Sequence, residues 1–345
     1  MMKRIILYII LCSITCVCSH ANVRVLSIGV SEYPESSGWN QINAHNDVEL
    51  MCGIFPNAIL LENASATHAG IEAELKAMAS NAAKGDTVIV HFSGHGQQII
   101  TTNSKDEADR VDEAIVPFDA AKRKAGGYTG QNHLTDDVFG KAVDNIRRAV
   151  GADGLVIAMI DACHSDSMDK DADQSGDIYR GTDEIFGSES MSDTEISNLR
   201  EAYHNQEETS LAKSSNMSDV IYLSACRSDQ RNYEVVVGDK GYGSLTYYFC
   251  AAYRNNSLFD LPAFLTALYD GMKGDNTLQF HGQLPSIRNT IGWVAPPQVI
   301  STPPEPPTAP SESYDSYNHT VIWVIIAIAF TVLFIALWIM RMKKK

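Results

Sequence analysis

Two residues of this chain stand where they could exchange a proton. His95 sits between two glycines at the end of TVIVHFSGHG (87–96), and Cys163 follows LVIAMID (155–161) by two positions. Each is delivered by a continuously apolar, β-rich run. A thiol ionises near pH 8.5, so a cysteine holds little thiolate at neutral pH unless a base stands beside it. An imidazole can take that proton and later return it to a leaving amine. The tetrahedral oxyanion of such a reaction needs preorganised N–H donors. Gly96 can offer its amide without side-chain obstruction, and the Cys163 amide is the natural second donor. Alone, a histidine after a strand reads as a turn residue and a cysteine as a small buried hydrophobe. Placed together at the ends of two apolar runs, they point to a cysteine nucleophile with a histidine base. His91 lies inside its run and is expected to be buried, and His164 adjoins Cys163 too closely in sequence to face it.

The runs must be neighbours for this chemistry to exist. Strand-like and helix-like segments alternate: VRVLSIGV, NAHNDVELMCGIF, AILL, THAGIEAELKAMASNAA, the His95 run, DDVFGKAVDNIRRAV, the Cys163 run, DVIYLSA, GSLTYYFCAAYRN and LPAFLTALYDGM. In the second helix Ile71, Leu75, Met78 and Ala82 share one face, with Thr67 as its cap. Such alternation predicts an α/β fold with a mainly parallel sheet covered by helices on both faces. In sheets of that kind reactive groups gather at the carboxyl ends of strands. Residues 166–218 break the pattern. They are acidic and polar and read as a flexible insertion, disordered or a functional flap over the cleft. Arg180, Arg200 and Lys213 within it are candidate points of self-cleavage, the cut opening the cleft.

The ends read differently from the middle. Residues 1–21 have a short basic start, an apolar run and small residues before Asn22, the pattern of a secretory signal peptide. Residues 295–320 form a proline-rich linker. Residues 321–340 are an uncharged apolar run, long enough at about 1.5 Å per residue to span a bilayer, and 341–345 are a basic tail suited to the cytoplasmic side. The sequence therefore predicts an exported domain at 22–294, tethered to a membrane by one C-terminal helix and facing the periplasm, a lumen or the cell exterior. A net charge of −15 over 345 residues argues against a nucleic-acid partner. Cys52, Cys163, Cys226 and Cys250 lie outside the leader, with no paired CxxC spacing for a zinc ribbon; in an exported protein one disulfide is possible, its pairing not given by sequence.

HFSGHG together with DACHS resembles the metacaspases and the wider caspase-like cysteine peptidases. DEAIVPFD (112–119), HLTDD (133–137) and YLSACRSDQ (222–230) follow in that family's order, and the resemblance covers nearly all of 23–294. It implies a caspase-like three-layer sandwich. It implies His95 as general base, Cys163 as nucleophile, and the amides of Gly96 and Cys163 as oxyanion hole. Asp47, Ser93 and Asp161 match positions lining the family's pocket for the residue before the cut. Two carboxylates there favour arginine or lysine, because a buried charge left unpaired is costly. The protein or peptide partners are thus expected to carry basic residues. No cofactor is required for this chemistry. Calcium is a possible activator, with ligands resembling Asp112, Asp136 and Asp137; a further one would fall at Asp169 or Asp171, where Lys170 holds the expected offset. Two other readings stand beside it: a legumain-like or glycosylphosphatidylinositol-transamidase-like acyl-transferring enzyme, and a non-catalytic caspase-like binding module.

Overall fold

The computed structural model describes residues 22–100, 111–163, 178–204, 211, 214–227, 230–275 and 283–296. These form one unit; the remainder of the chain from 305 onward belongs to a second unit outside the described residues. A six-stranded sheet runs through the first unit. Its strands are β1 (Val23–Gly29), β2 (Ile59–Glu62), β3 (Thr87–Ser93), β7 (Leu155–Asp161), β8 (Asp219–Ser224) and β11 (Ser286–Asn289). Their order is β11-β8-β7-β3-β1-β2, all parallel except the antiparallel edge strand β11.

The apolar runs are continuous because both faces of the sheet are covered. Successive side chains of β3 point to opposite sides. Val88, Val90 and Phe92 join a core with Ile71, Leu75 and Met78 of α2 (His68–Asn81) and with Phe139, Val143 and Ile146 of α3 (Asp136–Val150). Ile89 joins the opposite core with Met51 of α1 (Ala44–Ile54), Phe249 of α5 (Ser244–Asn255) and Leu265 of α6 (Leu261–Gly274). Each such fully buried side chain contributes roughly 1.5–3 kcal/mol. The result is the three-layer α/β sandwich that the alternation predicts. Thr67 caps α2 as expected, accepting the Gly70 amide at 3.1 Å. Asn43 precedes α1 but makes no side-chain cap, because its amide is engaged elsewhere.

Two smaller sheets flank the carboxyl ends of the strands. One comprises β4 (Gly96–Ile100), β5 (Val111–Ile115) and β6 (Leu134–Thr135); the other is the hairpin of β9 (Glu234–Val237) and β10 (Lys240–Gly243). The segment read as a flexible insertion has structure in its described part. Tyr179 bridges to Tyr233, Phe186 bridges to Ile99, and α4 (Asp193–His204) follows. Apolar anchors explain the difference: Ile185 and Phe186 are buried within an otherwise acidic stretch.

The membrane placement expected from the sequence is corrected here. Among the described residues no helix is long and apolar enough to cross a membrane. The segments on which the expectation rested, 1–21 and 321–340, lie outside the described residues, as do the linker from 297 on and the tail 341–345.

Candidate active site

The sheet register brings the two loaded turns together. Strands β3 and β7 are adjacent and parallel, with Ser93 opposite Asp161. His95 and Cys163 each follow two residues beyond that pair, at one sheet edge. The Gly94 amide bonds the Asp161 carbonyl across the gap at 3.3 Å. Both residues are buried, and the amides of Gly96 and Cys163 donate to the same oxygen, at 3.2 and 3.0 Å.

That oxygen is the main-chain carbonyl of Arg180. The Arg180 side chain is fully buried among acids. Nη1 lies 2.8 Å from Asp47 Oδ2 and 3.9 Å from Asp161 Oδ1, and it donates to Ser93 Oγ at 2.6 Å. Nη2 lies 2.9 Å from Glu234 Oε1. Burial alone would lower the Arg180 pKa; Asp47, Glu234 and Asp161 together outweigh it and hold the group charged. Burial pushes Asp47 up to about 7, with the guanidinium opposing and the neighbouring acids reinforcing the rise. The segment leading into Arg180 pairs with the chain ahead of β9, and the chain bends at Arg180 and Gly181. The Arg180 amide donates to the Asn232 carbonyl, and the Ile178 carbonyl accepts from the Glu234 amide, both at 3.0 Å. These two bonds frame the isolated antiparallel bridge of Tyr179 with Tyr233, just ahead of β9. Gly181 comes next; a Cβ there would approach Cys163 Cβ to 3.1 Å.

The acids are held from behind. Asp47 Oδ1 accepts the Gly243 amide at 2.9 Å, and Oδ2 accepts the Ser93 hydroxyl at 2.7 Å. Asp161 accepts from Asn232 Nδ2 at 2.9 Å and from both the amide and hydroxyl of Thr246 at 2.7 Å. Glu234 accepts the Asn43 amide at 2.8 Å and Asn43 Nδ2 at 2.6 Å.

The His95 ring stacks on Trp39 at 4.8 Å and packs against Tyr33 at 5.1 Å. Its Nε2 donates to the Asn40 carbonyl at 2.9 Å. A carbonyl only accepts, so the proton of the neutral ring is on Nε2 and the lone pair on Nδ1. Nδ1 is buried without a hydrogen-bond partner among the described residues. Burial lowers the His95 pKa to about 4, which keeps the ring neutral at pH 7. The Cys163 thiol faces the Gln230 carbonyl at 3.5 Å and Cys226 Sγ at 3.7 Å. No disulfide joins the cysteines of the described residues.

The structure thus gathers His95, Gly96, Cys163, Asp47, Ser93 and Asp161 around one residue, Arg180. The calcium set, Asp112, Asp136 and Asp137, is a separate matter. Asp112 lies on β5 opposite Ile99, while Asp136 and Asp137 open α3. Asp137 pairs with Lys141 at 3.0 Å, and Asp136 accepts the Asp137 amide at 2.9 Å. Among the described residues no group of three or more His, Cys, Asp or Glu side chains could hold a metal ion. Asp169 and Asp171 lie outside them. Sequence reasoning missed Glu234, Asn43 and Asn232. The available signal was an acid heading the run EVVV, four positions after the end of the SDQ motif.

The caspase-domain family model (Peptidase_C14) matches residues 23–291. The chain is 25% identical over 221 residues to a metacaspase-1A of Neurospora crassa, covering 56% of this chain and 44% of that protein. It is 26% identical over 157 residues to metacaspase III c of Phaeodactylum tricornutum, covering 42% and 43%. The chain spans less than half the length of these two curated relatives. A crystal structure of protein GSU0716 from Geobacter sulfurreducens shares the fold, with a TM-score of 0.52 at 21% identity over 83% of this chain and 98% of that one. With the match running from the first strand to the last, the chain belongs to the caspase-domain family of cysteine-type peptidases.

Proposed function

We propose that the chain is a cysteine endopeptidase that cuts after arginine or lysine through Cys163 and His95. One observation carries this reading. Arg180 has its guanidinium among three carboxylates while its carbonyl oxygen accepts from the Gly96 and Cys163 amides. A substrate residue before a scissile bond would use the same contacts, and here the bond following is Arg180–Gly181. His95 Nδ1 takes the Cys163 proton as Sγ attacks the carbonyl carbon. The two amides hold the oxyanion, a contribution of roughly 3–4 kcal/mol per donor in comparable sites. Collapse breaks the C–N bond, and His95 gives the proton to the departing amine. Water then attacks the thioester, His95 takes its proton, and the acid leaves as Cys163 regains the thiol. The segment that fills the cleft is thereby the first substrate, and its cutting opens the site to other protein chains.

Fluorogenic peptides ending in Arg, Lys, Asp or Asn test the reading, assayed on wild type and Cys163→Ala. The expected result is hydrolysis after Arg and Lys alone, abolished in the variant. Cleavage after Asn, transfer to an amine acceptor, or activity retained by Cys163→Ala would overturn it. Repeating the assay with and without calcium tests whether Asp112, Asp136 and Asp137 assist.

A further inference from the structure

The acidic pocket divides its work between the two ends of the guanidinium. We infer that Glu234, clamped by Asn43, makes this pocket select arginine over lysine at the residue before the cut. The inference rests on the reading that Arg180 stands where a substrate residue would stand.

The two terminal nitrogens of Arg180 serve different acids. Nη1 meets Asp47 and Ser93 at 2.8 and 2.6 Å, whereas Nη2 meets Glu234 at 2.9 Å. Arginine spans both because its planar fork fixes two donors apart. Lysine carries one compact ammonium on a stem one bond shorter. It can approach the Asp47 side or the Glu234 side, and the other carboxylate stays buried without a cation. Leaving a buried charge unpaired is the expensive outcome.

Glu234 cannot follow the ammonium. Its side chain is 2% exposed. Oε1 accepts the Asn43 amide and Oε2 accepts Asn43 Nδ2, so both oxygens are tied to the residue that precedes α1. Its own amide holds the Ile178 carbonyl, which fixes the acid in register with the residue before the cut. Arg180 Nε has no hydrogen-bond partner among the described residues, so selection lies in the two terminal nitrogens. Asp47 and Asp161 alone recognise a positive charge; Glu234 adds the second point that recognises a fork.

The test uses the full chain and matched peptides differing only by Arg or Lys before the cleaved bond. Wild type is expected to favour Arg by about 100-fold in kcat/KM, less than sites that reject an analogue lacking a hydrogen-bonding group, because lysine still meets one of the carboxylates. Glu234→Gln should bring the ratio to within about 10-fold, chiefly by raising KM for Arg. Asn43→Ala, which frees Glu234 to move, should raise Lys cleavage and gives an independent reading should Glu234→Gln fail to fold. In the chain's own processing, Arg180→Lys should slow cleavage at 180–181 by a similar factor, read by intact mass. Equal cleavage of both peptides by wild type, or a ratio unmoved in both variants, would overturn the inference alone. Cleavage after neither Arg nor Lys would overturn the basic-residue reading and the inference with it.

Discussion

Two histidines on one strand run meet different fates four residues apart. His91 lies inside β3 and His95 just beyond it. Both are buried, and burial lowers both to about 4. Neither burial nor basicity distinguishes them. Their hydrogen bonds do. His91 pairs Nδ1 with Ser27 Oγ at 2.9 Å and Nε2 with Thr246 Oγ1 at 3.0 Å. Thr246 in turn donates to Asp161, so a proton chain from Ser27 to the pocket acid passes through a ring with nothing left to give. His95 spends Nε2 on Asn40 and keeps Nδ1 bare. On the proposed reading the base is marked by that spare ring nitrogen, while His91, inside β3, has both nitrogens taken by the side chains of Ser27 and Thr246.

The largest expected effect breaks the pair apart by substitution. His95→Ala should lower kcat by at least about 1,000-fold, far beyond what the stability lost from its stacking on Trp39 and Tyr33 would explain. His91→Ala should leave kcat within a few-fold of wild type yet cost about 2–4 kcal/mol of stability, since it opens a cavity and orphans two hydroxyls. Paired kinetics and thermal melts read both. If His91→Ala silences the enzyme without destabilising it, the distinction fails.

Acid sharpens the comparison next. A histidine whose folded pKa lies below the unfolded value near 6.5 favours the folded state at higher pH. That stability is complete above 6.5 and is lost as pH falls toward 4, because the unfolded chain then binds more protons. Each such ring contributes a slope of up to about 1.4 kcal/mol per pH unit in that window. Denaturant titrations of His91→Asn across pH 4–6.5 should show a slope shallower by about one proton.

Neutral rings at pH 7 also mean that an acid limb in substrate binding belongs elsewhere. Asp47, raised to about 7, loses its charge as pH falls below that value, and the pocket loses attraction for a guanidinium. KM for Arg peptides should therefore climb below about pH 7, by up to about tenfold per unit, and Asp47→Asn should flatten the profile at a higher KM. The smallest expected effect is Tyr33→Phe. It removes a hydroxyl that accepts the His95 amide and donates to the Val116 carbonyl, at 3.0 and 2.9 Å. About 1–2 kcal/mol of stability should be lost, with kcat only modestly lowered as the His95 loop loosens.

The parts of this arrangement that sequence discloses share a cause. The strands carrying His95 and Cys163 are legible because a parallel sheet buried on both faces demands unbroken apolar runs, and residues at their ends inherit a predictable location. Asp47, Ser93 and Asp161 were legible only through resemblance to a family. Glu234 and Asn43 were not legible as partners: they lie 191 positions apart, and only the β9–β10 hairpin folding against α1 brings them together. Arg180 was one basic residue among several in an acidic stretch. Its burial goes with the isolated bridge of Tyr179 to Tyr233 and the hydrogen bonds flanking it, which no local pattern announces. Asp136 and Asp137 sit in the first turn of α3, where acids favour the helix start without an ion, and the further calcium ligand read at Asp169 or Asp171 lies outside the described residues.

Intact-mass spectrometry of freshly folded full-length chain, wild type beside Cys163→Ala, bears most directly on Arg180 as the resident substrate. Wild type should yield two fragments that part between Arg180 and Gly181, gaining peptidase activity as they appear, and Cys163→Ala should stay whole. Fragments of the same mass from Cys163→Ala, or full activity in a chain that remains uncut, would contradict it.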